Sequence, residues 1–325
     1  MERILITGIT GQDGKYLSKH FLSKTDNKII GITRNKKNSK DLFKYLKLLG
    51  VNNFKNLDIV QLNLENKHEV ESLIHDVRPT KVFNLSGPSS VYESLDAKSK
   101  SEEKIRLIFD NLTNSLIQNK NLCVFFQASS SEMYSGHKDI FVNEHTKILP
   151  NSPYGDGKAY CHISSIELNE KYNWDIVSGV VFNHESAFRS KNFLFSKIIN
   201  SAIENSKGNK KELIVGSVDY IRDWSHAIDV VNSIIEITNN PKSSSYIIGS
   251  GTGHTIGELI MNIYDYFDLN YLNYLSIDNK ILRDGDATSI IADTKKLNKD
   301  FQINPFMSFK EMITEIIELK IKISY

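Results

Sequence analysis

The sequence predicts an α/β protein with a doubly wound parallel sheet and a smaller, interleaved C-terminal lobe. A short apolar run at residues 3–7 predicts a first strand, and a glycine-rich segment at 8–14 follows it directly. Strand-like and helix-like segments then alternate as far as residue 183. Such alternation implies right-handed crossovers and helices on both faces of a parallel sheet. The architecture is Rossmann-type, and its ligands bind outside the carboxyl ends of the strands.

The first strand and the glycines behind it predict a dinucleotide site. Residues 3–7 are rich in isoleucine and leucine, which is typical of a buried strand. Gly8, Gly11 and Gly14 follow at a spacing of three, before a helix predicted at 15–23. Glycines at such a turn let the backbone approach a pyrophosphate, which the helix N-terminus stabilises. An ordinary glycine-rich turn is the alternative.

Eight further segments complete the predicted sheet domain. They are strands at 28–34, 58–64, 81–85, 123–128 and 175–183, and helices at 66–76, 104–118 and 154–172. Asn151-Ser152-Pro153 is the start signal of the last helix.

After residue 185 the pattern loosens and predicts a second lobe. The segments there are helices at 223–237, 255–267 and 308–321, and a strand at 246–249. We therefore expect a Rossmann domain at 1–184, with roughly 216–249 returning to it, and a second lobe over 185–325.

Composition indicates a cytoplasmic protein. A net charge of +1 over 325 residues gives no reason to expect nucleic acid or an anionic membrane as partner. Two cysteines, Cys123 and Cys161, suggest a reducing compartment. We expect no secretory signal, because the first strand begins at residue 3, and no apolar run approaches the length of a bilayer span.

Four side chains that can carry chemistry occur within one short span. Tyr154 and Lys158 are four residues apart and so share one face of the predicted helix. The lysine cation favours the phenolate, so the tyrosine can act as a base in hydride chemistry at an alcohol. Ser130 and Glu132 follow the fifth strand, and a simple dehydrogenase has no use for a second base such as Glu132. The alternatives are a solvated carboxylate at Glu132 and a packing role for Tyr154.

The chain resembles the GDP-mannose 4,6-dehydratases, which are extended short-chain dehydrogenases/reductases. The matching segments run in family order over nearly the whole chain and are 7–14, 129–134, 152–154 with Lys158, 183–186 with Arg189, and 222–224. Gly-Gln-Asp-Gly at 11–14 and Asn-His-Glu-Ser at 183–186 are specific to that family among its relatives. The resemblance implies a lyase that removes water from GDP-mannose or a close GDP-sugar. It also implies NADP, tightly bound and regenerated in each cycle, and a homodimer or homotetramer.

The resemblance also implies a role for each of the four side chains. Tyr154 removes the proton of the hexose 4-hydroxyl while hydride leaves C-4 for the nicotinamide. Glu132 takes the C-5 proton, and the 6-hydroxyl leaves as water with Glu132 or a neighbour as the acid. Hydride then returns to C-6. Ser130, where the family usually has Thr, bonds the 4-hydroxyl, and Lys158 holds the nicotinamide ribose.

The resemblance extends to a wider set of binding residues, and no metal site is expected. The residues implied for the cofactor are Gly8, Thr10, Gly11, Gln12, Asp13, Gly14, Arg34, Asn63, Leu64, Leu85, Ser86, Tyr154, Lys158, Asn183, His184 and Arg189. Those implied for the substrate are Ser90, Glu132, Asn183, Lys197, Arg222, Arg283 and Asp286, the last at a family Glu position. Arginine suits a diphosphate because its guanidinium offers forked donors. Surface ion pairs are the alternative for the arginines.

The end of the second strand favours NADP. An NAD site there usually presents an acidic residue to the ribose 2′-hydroxyl. Residues 32–37 read Ile-Thr-Arg-Asn-Lys-Lys, so no acid is present and three cations can meet a 2′-phosphate, with Arg34 as the expected contact. An exposed surface charge is the alternative for Arg34, and the lysines of 36–40 are expected in a solvated loop.

Departures from the family pattern leave the identity of the sugar and the oligomeric state open. Ala187 and Phe188 replace a proline and an arginine, and Pro88-Ser89-Ser90 stands for the usual Gln-Ser-His. The segment 34–39 is a reduced form of one that reaches a neighbouring subunit's cofactor site in the family. A GDP-heptose 4,6-dehydratase and a 4-keto-sugar reductase or epimerase are the alternatives, and Glu132 discriminates against the latter. A non-catalytic cofactor-binding protein is the rival from another class.

Overall fold

The computed structural model describes residues 2–24, 26–88, 100–282, 285–303 and 306–324, and its centre is a parallel sheet. Seven strands lie in the order β11-β7-β5-β4-β1-β2-β3, and every neighbouring pair is parallel. The strands are β1 (Glu2–Thr7), β2 (Asn27–Thr33), β3 (Leu57–Gln61), β4 (Lys81–Asn84), β5 (Val124–Ser130), β7 (Ile176–Val181) and β11 (Ser245–Ile248). This is the predicted Rossmann-type sheet.

Helices cover both faces of the sheet. They are α1 (Gln12–Leu22), α2 (Asn38–Leu48), α3 (Lys67–Val77), α4 (Lys100–Gln118), α5 (Pro153–Tyr172) and α7 (Ala227–Asn239). One apolar cluster joins the sheet to α1, α2 and α7, and another joins it to α3, α4 and α5. Within β1, Ile4 and Ile6 belong to the first cluster and Leu5 to the second. A strand with both faces buried is usually a continuous apolar run, which is why residues 3–7 predict a strand.

A second lobe lies beside the carboxyl ends of the central strands. Its main sheet has the order β12-β10-β14-β6, and β8 also pairs with β10. Its strands are β6 (Asp139–Val142), β8 (Asn183–Glu185), β9 (Leu213–Val215), β10 (Ile221–His226), β12 (Gly253–Thr255), β13 (Leu275–Ile277) and β14 (Ser289–Ala292). Its helices are α6 (Leu194–Ser206), α8 (Ile256–Asp265), α9 (Lys295–Asp300) and α10 (Phe309–Ser324). A third apolar cluster joins α6, α8 and α10.

Several predicted boundaries were wrong, and tertiary contacts explain the largest error. The helix predicted from residue 223 begins at Ala227, because Asp223 to His226 form the end of β10. The Asp223 carboxylate accepts hydrogen bonds from the amides of Gly251 (2.9 Å) and Ala292 (3.1 Å). These bonds hold the segment extended. His226 then caps the helix through Nδ1. Helices α2, α6 and α9 and the short strands of the second lobe were not predicted, and β3 ends at residue 61 rather than 64.

Helix α5 begins at the predicted signal. The Ser152 hydroxyl accepts a hydrogen bond from the Gly155 amide at 3.1 Å, and Pro153 occupies the first turn. Serine caps and N-terminal prolines are both favoured at helix starts. Although α5 is 20 residues long, neither it nor another helix in the described ranges is long and apolar enough to cross a membrane.

Candidate active site

The glycine turn after β1 forms a cradle that excludes side chains. Gly8 has a φ of +66°, and a Cβ there would lie 3.0 Å from the Leu85 carbonyl oxygen. A Cβ at Gly14 would lie 2.5 Å from the Ile9 carbonyl oxygen, so α1 packs directly on the turn. Gly11 precedes α1, and within the described residues no side chain caps that helix start. Open amides at a helix N-terminus suit an anionic group such as a diphosphate.

A cavity of about 600 Å³ extends from this turn along the carboxyl ends of β2, β3 and β4; we call it the turn cavity. Eight residues predicted for the cofactor line it, namely Gly8, Thr10, Gly11, Arg34, Asn63, Leu64, Leu85 and Ser86. Lys104 and Ile108 of α4 also line it and were not predicted. Nothing local in the sequence marks them, because α4 reaches the cavity only through the packing of the helix layer.

A second cavity of about 400 Å³, here called the tyrosine cavity, lies at the ends of β5 and β7. It brings together the predicted residues Asp13, Leu85, Ser130, Glu132, Tyr154, Lys158, Asn183, His184 and Arg189. The two cavities share Leu85, Gly87 and Pro88 as lining residues, so they are contiguous. Their combined extent suits a dinucleotide with one end in each cavity. The residues present therefore fit a nicotinamide cofactor.

The four predicted catalytic side chains converge through tight backbone packing. Lys158 donates from Nζ to the Ala128 carbonyl at 2.7 Å, and this Nζ lies 5.7 Å from the Tyr154 ring centre. The Ser130 hydroxyl accepts a hydrogen bond from the Glu132 amide at 3.2 Å, which orients the short turn that carries the carboxylate. A Cβ at Gly155 would lie 2.7 Å from the Glu132 carbonyl oxygen. Only glycine therefore lets the start of α5 approach this turn so closely.

Two motifs that are distant in the sequence form one hydrogen-bonded network. Gln12 donates from Nε2 to the His184 carbonyl at 2.9 Å and accepts from the Ser186 hydroxyl at 2.9 Å. The Asp13 carboxylate lies 3.0 Å from His184 Nε2. The glycine turn is thereby joined to β8, which carries Asn183 into the tyrosine cavity. The Gln12 side chain makes this connection, and Gln12 is not among the residues that line either cavity.

The surroundings of His184 favour its imidazolium form. Its Nδ1 lies 2.8 Å from the Phe182 carbonyl oxygen, and its Nε2 faces the Asp13 carboxylate at 3.0 and 3.1 Å. Both partners accept hydrogen bonds, so both ring nitrogens must donate. Burial opposes the charge, but the ion pair and hydrogen bond with Asp13 outweigh it and raise the pKa of His184. The pair stabilises the fold below the ordinary histidine pKa of about 6.5, and this contribution is lost as pH rises through the raised pKa.

Asp13→Asn should move the pKa of His184 in the opposite direction, below its ordinary value. Without the carboxylate, burial and the nearby Arg189 both disfavour the imidazolium. The measurement is an NMR titration of the His184 ring in both proteins. Asp41→Asn is the matched control, since Asp41 has no part in this pair and should leave the His184 titration unchanged. A wild-type titration in Asp13→Asn would contradict the ion-pair assignment.

Arg189 is fixed by two contacts that the sequence did not reveal. Its Nε lies 3.4 Å from Oε2 of the buried Glu185, and its guanidinium lies 3.6 Å from the Phe193 ring centre. Burial raises the pKa of Glu185 although Arg189 opposes this. Phe193 lines the tyrosine cavity, as do the unpredicted residues Ser131, Asn192, Leu194 and Ile281. Ser131 lies in the turn after β5, within the segment 129–134 that resembles the family. No local signal marks the others, because they reach the cavity through the start of α6, the loop before it and the segment after β13.

The remaining predicted substrate residues are not in these cavities. Lys197 on α6, Arg222 on β10 and Asp286 line neither cavity as far as the described residues define them. Arg222 donates to the Ile221 carbonyl at 2.8 Å, and Asn151 lies 3.5 Å from an Asp286 carboxylate oxygen. Ser90 and Arg283 lie outside the described residues. Gly14, predicted for the cofactor, also lines neither cavity and instead packs α1 on the turn.

A parallel Rossmann-type sheet with a tyrosine, lysine and glutamate at its carboxyl edge defines an extended short-chain dehydrogenase/reductase. The family model for GDP-mannose 4,6 dehydratase matches residues 5–316. The chain therefore belongs to the GDP-mannose 4,6 dehydratase family.

Curated relatives agree with this family, and a solved structure agrees with the fold. The human GDP-mannose 4,6 dehydratase is 28% identical over 98% of this chain and 91% of its own length. A Vibrio cholerae GDP-mannose 4,6-dehydratase is 31% identical over 79% of this chain and 69% of its own length. The dTDP-glucose 4,6-dehydratase of Bacillus anthracis, solved with NAD, matches with a TM-score of 0.83 and 19% identity, covering 99% of this chain and 97% of that one.

Proposed function

We propose that this protein is a nucleotide-sugar 4,6-dehydratase that converts GDP-mannose, or a close GDP-sugar, into the GDP-4-keto-6-deoxy sugar and water. One observation carries the proposal. Glu132 lines the same cavity as the Tyr154 and Lys158 pair. Oxidation of an alcohol needs only the tyrosine and the lysine, whereas elimination of water needs a further base. The family and its named relatives support the same activity.

The first task of the site is to deprotonate the sugar. Tyr154 is proposed to accept the proton of the 4-hydroxyl, with the Lys158 cation beside its ring. Ser130 lines the same cavity and is proposed to hydrogen-bond the 4-hydroxyl. When bound, a nicotinamide cofactor would accept hydride from C-4 and later return it to C-6.

The second task is elimination. The 4-keto group acidifies the proton at C-5, which Glu132 takes. The protonated carboxyl group, or a neighbour, then gives a proton to the leaving 6-hydroxyl, so water departs and a C-5/C-6 double bond remains. Addition of hydride at C-6 and of a proton at C-5 would complete the 6-deoxy sugar, and the proton that Tyr154 took from the 4-hydroxyl balances the one added at C-5. Glu132 is suited to both steps because it is half-buried in the cavity wall, on a turn that Ser130 orients.

The proposed cofactor is NADP, held by residues 1–184 with 216–249, while 185–325 mainly bind the substrate. Arg34 supports this choice because it lies exposed just beyond β2 and lines the turn cavity. Its guanidinium can form forked hydrogen bonds to a 2′-phosphate. Direct contacts of Ser90, Lys197, Arg222, Arg283 and Asp286 with the GDP-sugar stay predictions.

Arg34→Ala should weaken NADP binding by about tenfold to a hundredfold and leave NAD binding nearly unchanged, because a charge-assisted hydrogen bond is worth about 1.5–3 kcal/mol. Calorimetric titration of each cofactor measures the two affinities. Lys36→Ala is the matched control, as Lys36 is an exposed cation two residues away that does not line the cavity. Equal losses for NAD and NADP would mean that Arg34 does not contact the 2′-phosphate.

The proposed setting is a homodimer or homotetramer in the cytoplasm. Leu107 on α4 and Ile163 on α5 are 38% and 45% exposed, and an exposed apolar pair on adjacent helices supports association. Cys123 and Cys161 are both free, which suits a reducing compartment. Light scattering of the purified protein measures the mass of the assembly.

The decisive experiment is incubation with GDP-mannose followed by mass analysis. Loss of one water without net consumption of cofactor supports dehydration. A GDP-heptose is tested in parallel, because the departures from the family pattern at Ala187 and Phe188 leave the identity of the sugar open. Stoichiometric consumption of NADPH with a 4-keto sugar would instead identify a reductase.

A further inference from the structure

Lys15 is a buried cation behind the glycine turn, and the proposed reaction does not use it. Only 5% of the residue is exposed, although it lies in the first turns of α1. Its Nζ donates hydrogen bonds to the carbonyl oxygens of Thr10 and Gly11, the latter at 3.2 Å. Lysine is almost never fully buried unless its charge is compensated. The position therefore needs a reason beyond packing.

The two carbonyl groups belong to the peptides that form the cradle. In a trans peptide the C=O and N–H point in opposite directions, and the described residues contain no cis peptide. The Gly11 carbonyl shares its peptide with the Gln12 N–H, at the start of α1. An ammonium that binds this carbonyl thus fixes and polarises the amide on the opposite side. That side is where an anionic diphosphate would be held.

The surroundings of Lys15 hold its side chain in place but compensate its positive charge only in part. Its Nζ lies 5.4 Å from the ring centres of both Tyr45 and Phe188. Burial lowers the pKa of Lys15 to about 8, while the carboxylates of Asp13 and Asp41 partly offset this. Asp13 is itself engaged by His184 and Arg189. Burial raises the pKa of Tyr45, which therefore stays neutral over the same pH range.

We propose that Lys15 is a positioning residue for the cofactor diphosphate: its ammonium braces the glycine turn from behind and adds positive charge to the anion site. The inference rests on the proposed function, because that function supplies the dinucleotide. A diphosphate bound at the turn supplies negative charge close to the Lys15 ammonium. Binding of the cofactor at the turn and binding of the proton to Lys15 therefore favour each other. NAD and NADP carry the same diphosphate and should depend on Lys15 equally.

The test is calorimetric titration of the full-length protein, freed of nucleotide, with NADP and with NAD at pH 7. Lys15→Met should weaken both cofactors by about tenfold, the scale of one lost charge-assisted hydrogen bond. Arg34→Ala, by contrast, should weaken NADP alone. Lys19→Met is the matched control, since it removes an equal charge one turn further along α1 and should leave both affinities unchanged. Equal affinities in Lys15→Met and wild type would overturn the proposal.

A pH series separates this role from a merely structural one. Wild-type affinity for NADP should fall between pH 8 and 9.5, by about tenfold in all, because the free protein then loses the lysine proton and with it the charge that Lys15→Met removes. Lys15→Met should show no such fall. If Lys15→Met does not fold by circular dichroism, Lys15→Arg replaces it, since arginine keeps its charge over this range and should bind NADP equally well at pH 7 and 9.5. A wild-type pH dependence in either variant would overturn the proposal, whereas a wild-type protein that binds no dinucleotide would refute the proposed function itself.

Discussion

Glu132→Gln is expected to bind the nucleotide sugar and to stop the reaction after oxidation at C-4. Glutamine keeps the shape of glutamate but cannot take the C-5 proton. The backbone of the turn should be unaffected, because the Glu132 amide keeps its hydrogen bond to the Ser130 hydroxyl. Loss of a general base typically costs about two to four orders of magnitude in rate. Formation of the 4-keto-6-deoxy product should fall by that amount.

The signature of this variant is reduced cofactor without product. Absorbance of NADPH should appear on the protein after GDP-mannose is added, while mass analysis finds no loss of water. Glu103→Gln is the matched control, because Glu103 is an exposed carboxylate on α4 and should leave turnover unchanged. Product at a near wild-type rate in Glu132→Gln would remove the main support for a dehydratase.

Tyr154→Phe is expected to abolish turnover at an earlier step. Tyr154 is only 9% exposed and its ring packs in the apolar cluster beneath α4 and α5, so phenylalanine preserves the fold. The phenolic oxygen is lost, and no base remains for the 4-hydroxyl. We expect a rate loss of about two to four orders of magnitude or more.

The two variants are told apart by the state of the cofactor. Tyr154→Phe should bind NADP and GDP-mannose normally but show no NADPH absorbance, because oxidation at C-4 never begins. Tyr172→Phe, at the far end of the same helix, removes an equivalent hydroxyl outside both cavities and should turn over normally. Activity of folded Tyr154→Phe within a few-fold of wild type would refute the assignment of the base.

Much of the fold was predictable because its signals are local. Most of β1 and all of β7 are buried, so both strands are mainly apolar and could be recognised, although β7 ends at residue 181 rather than at the predicted 183. The start of α5 was predictable from a serine cap and a proline. The site residues after β5 and in α5 were predictable for the same reason, since parallel strands deliver their carboxyl ends to one edge.

The errors occurred where distant contacts override local preference. Residues 223–226 continue into a helical pattern, yet the hydrogen bonds of Asp223 with segments 27 to 69 residues away hold them as a strand. Helix α6 was missed, and with it the loop that brings Phe193 against Arg189. Neither the hydrogen bonds of Asp223 nor the contact of Phe193 with Arg189 corresponds to a periodic pattern in the sequence.

By itself, the sequence determined the parallel α/β sheet, the glycine turn and the grouping of Ser130, Glu132, Tyr154 and Lys158. Residue periodicity identifies the elements, and parallel strands bring their carboxyl ends to one edge of the sheet. Only the tertiary structure decided that Gln12 and Asp13 bind β8 across more than 170 residues, that His184 is charged, and that Lys15 turns back on the glycine turn. The charge and hydrogen-bonding state of a buried group depends on the partners that folding brings to it. Those partners come from elements that are far apart in the chain.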